Sequence, residues 1–325
     1  MARTADYKPA LAWFAALGSA WVFVLVTLGA FTTSIGAGMV FPDWPLSNGS
    51  VNPEGWLDDI AMFAEHSHRL TGTLMGLITI GLAAWLHVAE ERAWVRRLGW
   101  WALGIVVVQG LLGGKRVLLD AMDMPGFDLS VGQLLRIPHG ILAQVFFCVI
   151  FAIAAALSRT WSKPDPAPAV FSPRVRQLGA WCVALLFVQL TVAATMRHNG
   201  AGLAIPTFPL STPEGGLLPA TWDFRVGIHF LHRVMAGVLT VALLAYGHYL
   251  WRDRAVAGWM RWLLAGLLLL LGAQLTLGAY AVWSGRNPYI TTAHVIVGCL
   301  MLALTFLLAF FTRSGSLGPV QPARA

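Results

Sequence analysis

The chain has 325 residues, 57% of them hydrophobic and only 11% charged, and its mean hydropathy is +0.68. That balance excludes an ordinary soluble domain and points to a protein built from membrane-crossing segments. The formal net charge of +7 is scattered over short loops rather than gathered in a stripe, so it excludes a nucleic-acid interface and leaves the lipid bilayer as the partner.

Apolar runs occur at 11–34, 64–87, 98–114, 137–158, 177–196, 227–250, 259–283 and 291–312, each near the about 20 residues that a bilayer requires. The expected fold class is an all-α membrane protein with eight transmembrane helices. The first run is too long to read as a removable signal peptide. With the N-terminus inside, fourteen Lys and Arg residues fall in inner segments, Arg92, Arg96, Arg97 and Arg252 among them. Six fall outside: Lys115, Arg116, Arg136, Arg197, Arg225 and Arg286. The positive-inside rule therefore predicts cytoplasmic N- and C-termini. Cys148, Cys182 and Cys299 all lie within predicted spans, so no loop disulfide is expected and they read as small apolar packing residues.

After the first span comes the outer loop Gly36-Ala37-Gly38 through Phe41-Pro42-Asp43-Trp44-Pro45-Leu46-Ser47. A shift of 164 finds Gly200-Ala201-Gly202 and Ile205-Pro206-Thr207-Phe208-Pro209-Leu210-Ser211. The same shift relates Glu65-His66-Ser67-His68-Arg69 to His229-Phe230-Leu231-His232-Arg233. Gln109 with Leu112-Gly113 recurs as Gln274 with Leu277-Gly278, at a shift of 165. The chain reads as a tandem repeat of two pseudo-symmetric four-helix bundles, residues 1–161 and 174–325, joined by the Pro-rich connector 162–173. Four spans per unit give both units the same orientation, so the repeat is parallel.

Four of the nine histidines, His68, His139, His232 and His294, stand near the starts of the second, fourth, sixth and eighth spans. Each unit thus presents two imidazoles at similar depth in the outer leaflet. Two facing imidazoles in a four-helix bundle are what six-coordinate haem iron requires. Gly72 and Gly76 share the face of His68, and Ala236 and Thr240 that of His232; such small residues either clear room for a flat ring system or simply let helices pack closely. His66 is expected to face away from His68, and His87 and His248 mark inner helix ends. His198 falls in an outer loop without an evident role, and His229 is placed to meet either a haem edge or a quinone-like molecule. Arg69 and Arg233 either snorkel to headgroups or neutralise haem propionates, with Arg136 or Arg225 as further candidates.

Glu65-x-x-His68-Arg69, Pro138-His139, His232-Arg233 and His294 on eight spans, with Asp43-Trp44-Pro45 in the first outer loop, resemble the haem A synthase family. The resemblance covers all eight spans. It implies oxidation of the C8 methyl of haem O to a formyl group, giving the haem A of aa3-type oxidases. It further implies that His68 and His139 flank the substrate haem, that His232 and His294 hold a permanent haem b, and that Glu65 is the acid beside the substrate. A bacterial-type cytoplasmic membrane, an unidentified electron acceptor, and contact with haem O synthase or cytochrome oxidase assembly factors follow as expectations. Some members carry a cysteine pair in the first outer loop; this chain has none there, so a thiol relay cannot operate. With both axial positions filled by imidazole, the expected course is removal of electrons from the methyl, capture by water, repetition, and loss of water. Glu65 then stabilises charge or takes a proton. The alternative is a dihaem b-type cytochrome that takes electrons from quinol, which explains the four histidines but leaves the Glu65/His229 difference without a purpose.

Overall fold

The computed structural model describes residues 5–126, 128–162 and 170–313. Among these residues, eight helices are long and apolar enough to cross a membrane. They are α1 (Pro9–Ser34), α2 (Ile60–Ala89), α3 (Ala93–Leu118), α4 (Val131–Leu157), α6 (Pro173–His198), α7 (Phe224–Arg252), α8 (Gly258–Trp283) and α9 (Pro288–Arg313). A single-turn helix, α5 (Arg159–Ser162), follows α4. The all-helical class read from the sequence is the one observed. Residues 163–169 of the connector, and with them Lys163, lie outside the described residues, as do Arg3 and Arg324.

Helices α2, α4 and α7 begin three to six residues before their apolar runs, at polar caps. The Asp59 carboxylate accepts from the amides of Ala61 and Met62 to open α2. Ser130 and Gln133 form a reciprocal capping box on α4, and Asp223 accepts from the Val226 amide on α7. Each cap satisfies amides that a helix start leaves unpaired.

Within each half, every long helix packs on the next and the fourth returns to the first, so that α1 meets α4 and α6 meets α9. The halves join along α1, α4, α6 and α9, with α4 touching both α6 and α9. Each half has its own core, one around Leu82, Phe147 and Ile150, the other around Leu243, Tyr246 and Leu264. Polar groups lock the seam: Gln144 Nε2 donates to Cys299 Sγ at 3.0 Å, and Arg197 Nη2 donates to Ser34 Oγ at 2.8 Å. All three cysteines are buried and free. At the inner end of the first half, Arg92 pairs with Glu90 at 2.7 Å and also donates to the Ala156 carbonyl, tying the α2–α3 turn to α4. Burial would raise the Glu90 carboxyl, but its bonds from Arg92 prevail and hold it below the usual carboxylate range.

Candidate functional site

The four histidines stand at closely matched depth. His68, His139 and His232 each lie eight residues beyond the first residue of their helices (60, 131 and 224), and His294 lies six beyond residue 288. At the helical rise of about 1.5 Å per residue these offsets correspond to about 9–12 Å from the outer helix ends. In each bundle one histidine is on a peripheral helix (α2 or α7) and the other on a helix of the central seam (α4 or α9).

The geometry of the second pair permits a direct test against haem. The ring centroids of His232 and His294 are 6.5 Å apart. A metal–imidazole bond of about 2 Å, with the ring centre about 1 Å further on, puts two axial rings on one iron about 6 Å apart. The pair therefore stands at the separation one shared metal atom needs. Carboxamides stand beside both rings: Gln189 Nε2 is 3.0 Å from His232 Nδ1 and Gln274 Nε2 is 3.3 Å from His294 Nε2, while His294 Nδ1 is buried without a partner. In the first half His68 Nδ1 lies 3.2 Å from the Leu25 carbonyl, which fixes the proton on Nδ1 and leaves the Nε2 lone pair free. On the face of His68, a Cβ at Gly76 would meet nothing within 4 Å.

Arg69 and Arg233 are committed to the loops above the pairs. Arg69 donates to the carbonyls of Phe41, Asp43 and Leu46 and forms a 2.6 Å ion pair with Glu65. Arg233 donates to the carbonyls of Ile205, Thr207 and Leu210, which are the same three loop positions shifted by 164. Both loops also carry a cis X–Pro peptide at equivalent places, Trp44–Pro45 and Phe208–Pro209. The repeat therefore extends from sequence to loop architecture. Arg136, considered with them as a propionate partner, is engaged by Asp120 at 2.6 Å, and Arg225 is exposed.

Glu65 is 1% exposed and its carboxylate is fully used: Oε1 by Arg69, Oε2 by the amides of Val40 and Phe41 at 2.7 and 3.3 Å. His229 does the corresponding work in the second half. Its Nδ1 faces the Ile205 amide at 3.2 Å and its Nε2 faces Arg233 Nε at 3.3 Å. A neutral imidazole accepts at only one nitrogen, so the carboxylate anchors its loop more completely than the histidine does. Glu65 lies well inside α2, and the cap of that helix is Asp59.

Sequence reasoning alone missed several groups. His66 is buried against the loop, with Nδ1 3.0 Å from Ser47 Oγ and its ring edge-on to Trp56 and Phe41. Asp43 accepts from the amides of Asn48 and Gly49 and shapes the loop tip. Slight burial raises the Asp43 carboxyl, but these amides outweigh it and hold the group below the usual range. His198 is the last residue of α6 rather than part of a loop. Arg116 reaches from the outer end of α3 to the Gly38 carbonyl at 3.0 Å and, among the described residues, has no acidic partner within 4.0 Å. No pattern marked it, because its partner in the loop is a backbone atom.

The chain matches the family model described as cytochrome oxidase assembly protein over residues 12–226 and 220–324. It is 29% identical to a protein named "Heme A synthase" from Geobacillus kaustophilus, over 96% of this chain and 95% of that one. Relatives with the same name from an Exiguobacterium species and from Geobacillus thermodenitrificans are 26% and 27% identical. Their alignments cover 91% and 94% of this chain and 92% of each relative. The match spans both four-helix halves, and the chain belongs to the COX15-CtaA family of cytochrome oxidase assembly proteins.

Proposed function

We propose that this chain is a haem A synthase that converts the C8 methyl of haem O to the formyl group of haem A in a bacterial-type cytoplasmic membrane, with both termini inside. The observation that carries the reading is the repeated histidine pair, one in each bundle at matched depth, with the second pair 6.5 Å apart. The name shared by the relatives favours a synthase over the dihaem electron-transfer cytochrome.

In this reading the N-terminal unit, residues 1–161, is the substrate half, and His68 and His139 hold haem O. The C-terminal unit, 174–325, keeps haem b between His232 and His294. Bound there, haem b supplies a one-electron redox centre. The chain's own residues orient the substrate. His68 keeps its Nδ1 proton on Leu25 and presents Nε2, and the loop clamped by Arg69 covers the pair from outside. Arg116 is the rim cation left to receive a substrate carboxylate, since Arg69 and Arg136 are spent on acids. Glu65 contributes a fixed negative charge and the position of the loop. Taking up a proton would require breaking its contacts with Arg69, Val40 and Phe41. The formyl oxygen comes from water and the electrons pass to an acceptor that is still to be identified. Contact with haem O synthase and oxidase assembly factors would shorten the path of an insoluble substrate.

The test is to express the full chain in membranes that contain haem O but have no other route to haem A, and to identify extracted haems by mass. Haem A appearing with the chain, beside haem b, is the expected result. Haem b alone in both halves, with haem O unconverted, would make the protein an electron-transfer cytochrome.

A further inference from the structure

Three of the four histidines lie against a glycine of a neighbouring helix, and each glycine follows by four residues a residue that contacts the same histidine. A Cβ on Gly29 would stand 2.8 Å from His68 Cε1 and 3.2 Å from its Nδ1, and the carbonyl at that Nδ1 belongs to Leu25. A Cβ on Gly113 would stand 3.2 Å from His139 Cε1, and one on Gly278 would stand 3.2 Å from His294 Cε1. Four residues earlier in each case stands a glutamine on the same histidine: Gln109 Nε2 donates to the His139 carbonyl at 2.8 Å, and Gln274 Nε2 lies 3.3 Å from His294 Nε2. His139 Nδ1 and His294 Nδ1 are buried without a hydrogen-bond partner. Residues i and i+4 lie one above the other on a helix. A bare α-carbon at i+4 therefore lets a flat ring lie against the helix wall, beside residue i.

The fourth site departs from this arrangement. The counterpart of Gly29 in the second half is Ala193, and the counterpart of Leu25 is Gln189. There His232 Nδ1 meets a side chain, Gln189 Nε2, at 3.0 Å. The same Nε2 donates to the His232 carbonyl at 3.0 Å, so one carboxamide holds both the ring and the backbone of that histidine. The recurrence of Gln109 with Gly113 and of Gln274 with Gly278 thus pairs a carboxamide on the histidine with a bare α-carbon against its ring.

We infer that Gly29, Gly113 and Gly278 are positioning residues whose bare α-carbons let three axial histidines lie against a neighbouring helix, and that Gln189 serves His232 in their place. The inference rests on the reading of these histidines as haem ligands. A supporting group on the second ring nitrogen fixes both the orientation and the basicity of a metal-bound imidazole.

The experiment compares Gly278→Ala with Gly272→Ala, another α8 glycine where a Cβ would meet nothing within 4 Å. Both are made in the full-length protein, purified with its resident haem. Alanine is the better helix former at both places, so neither change is expected to lower helix content. Gly278→Ala should lose the low-spin bis-histidine signature in optical and electron paramagnetic resonance spectra. Its haem affinity should fall by about 10–100-fold, the range for groups that support a metal ligand. Gly272→Ala should match the wild type. Wild-type spectra and affinity in Gly278→Ala would overturn the inference and leave the haem reading intact, as would an equal loss in both variants. A wild-type protein holding no bis-histidine haem would overturn both.

Discussion

Glu65 and His229 occupy the same place in the two halves and differ in charge, and the surroundings of each explain the exchange. Glu65 takes two loop amides and the Arg69 guanidinium, while His229 faces one amide and the neighbouring Arg233. Both residues anchor a loop, but only Glu65 forms an ion pair with the arginine one turn on. Glu65→Gln keeps the shape and leaves Arg69 without its acid; breaking a buried pair costs about 3–5 kcal/mol. The variant is therefore expected to be less stable, to bind haem O, and to accumulate it at the expense of haem A while the haem b signal of the other half persists. Pigments extracted from membranes and normalised to protein measure this. A wild-type ratio of haem O to haem A would reduce Glu65 to a loop anchor. The Glu65–Arg69 pair was legible from the four-residue spacing alone. The loop carbonyls that take the rest of Arg69 were not, because they depend on how residues 36–47 fold back over the helix.

At the scale of the elements, eight spans were readable from hydropathy, and their outer ends were not. The apolar run of the second span starts at 64 but α2 starts at Ile60, and the run at 137 belongs to a helix that starts at Val131. The added turns, residues 60–63 and 131–136, are held by Asp59 and by the Ser130–Gln133 box, and hydropathy does not register such caps. The repeat identified the recurring glycines 113 and 278, yet it hid Gly29, whose counterpart is Ala193. The outer loops give an accessible check on orientation. Ser47 is buried on His66, so it makes a poor probe, whereas Glu54 and Glu214 are exposed. Cysteines at those two positions are expected to react with an impermeant thiol reagent applied from outside intact cells. The native cysteines, all buried, add little background. Labelling from the cytoplasmic face alone would invert the topology.

For the whole molecule, two bundles with separate cores share a seam of α1, α4, α6 and α9, and each contains its own histidine pair. One histidine of each pair lies on a seam helix, His139 on α4 and His294 on α9, which puts the two sites on either side of one contact surface. Such an arrangement suits a resident redox group in one half serving a substrate that comes and goes in the other. The tandem repeat was visible in the sequence because shifts of 164 and 165 align loops, histidines and glutamines alike. The separation of the second pair of rings was not, since it depends on how α7 and α9 pack. The central claim is that the two sites differ in kind, and haem content by mass in single histidine variants tests it most directly. His232→Ala and His294→Ala are expected to lose the permanent haem b, whereas His68→Ala and His139→Ala keep it and lose binding or conversion of haem O. Equal loss of all haem from all four variants would contradict the account.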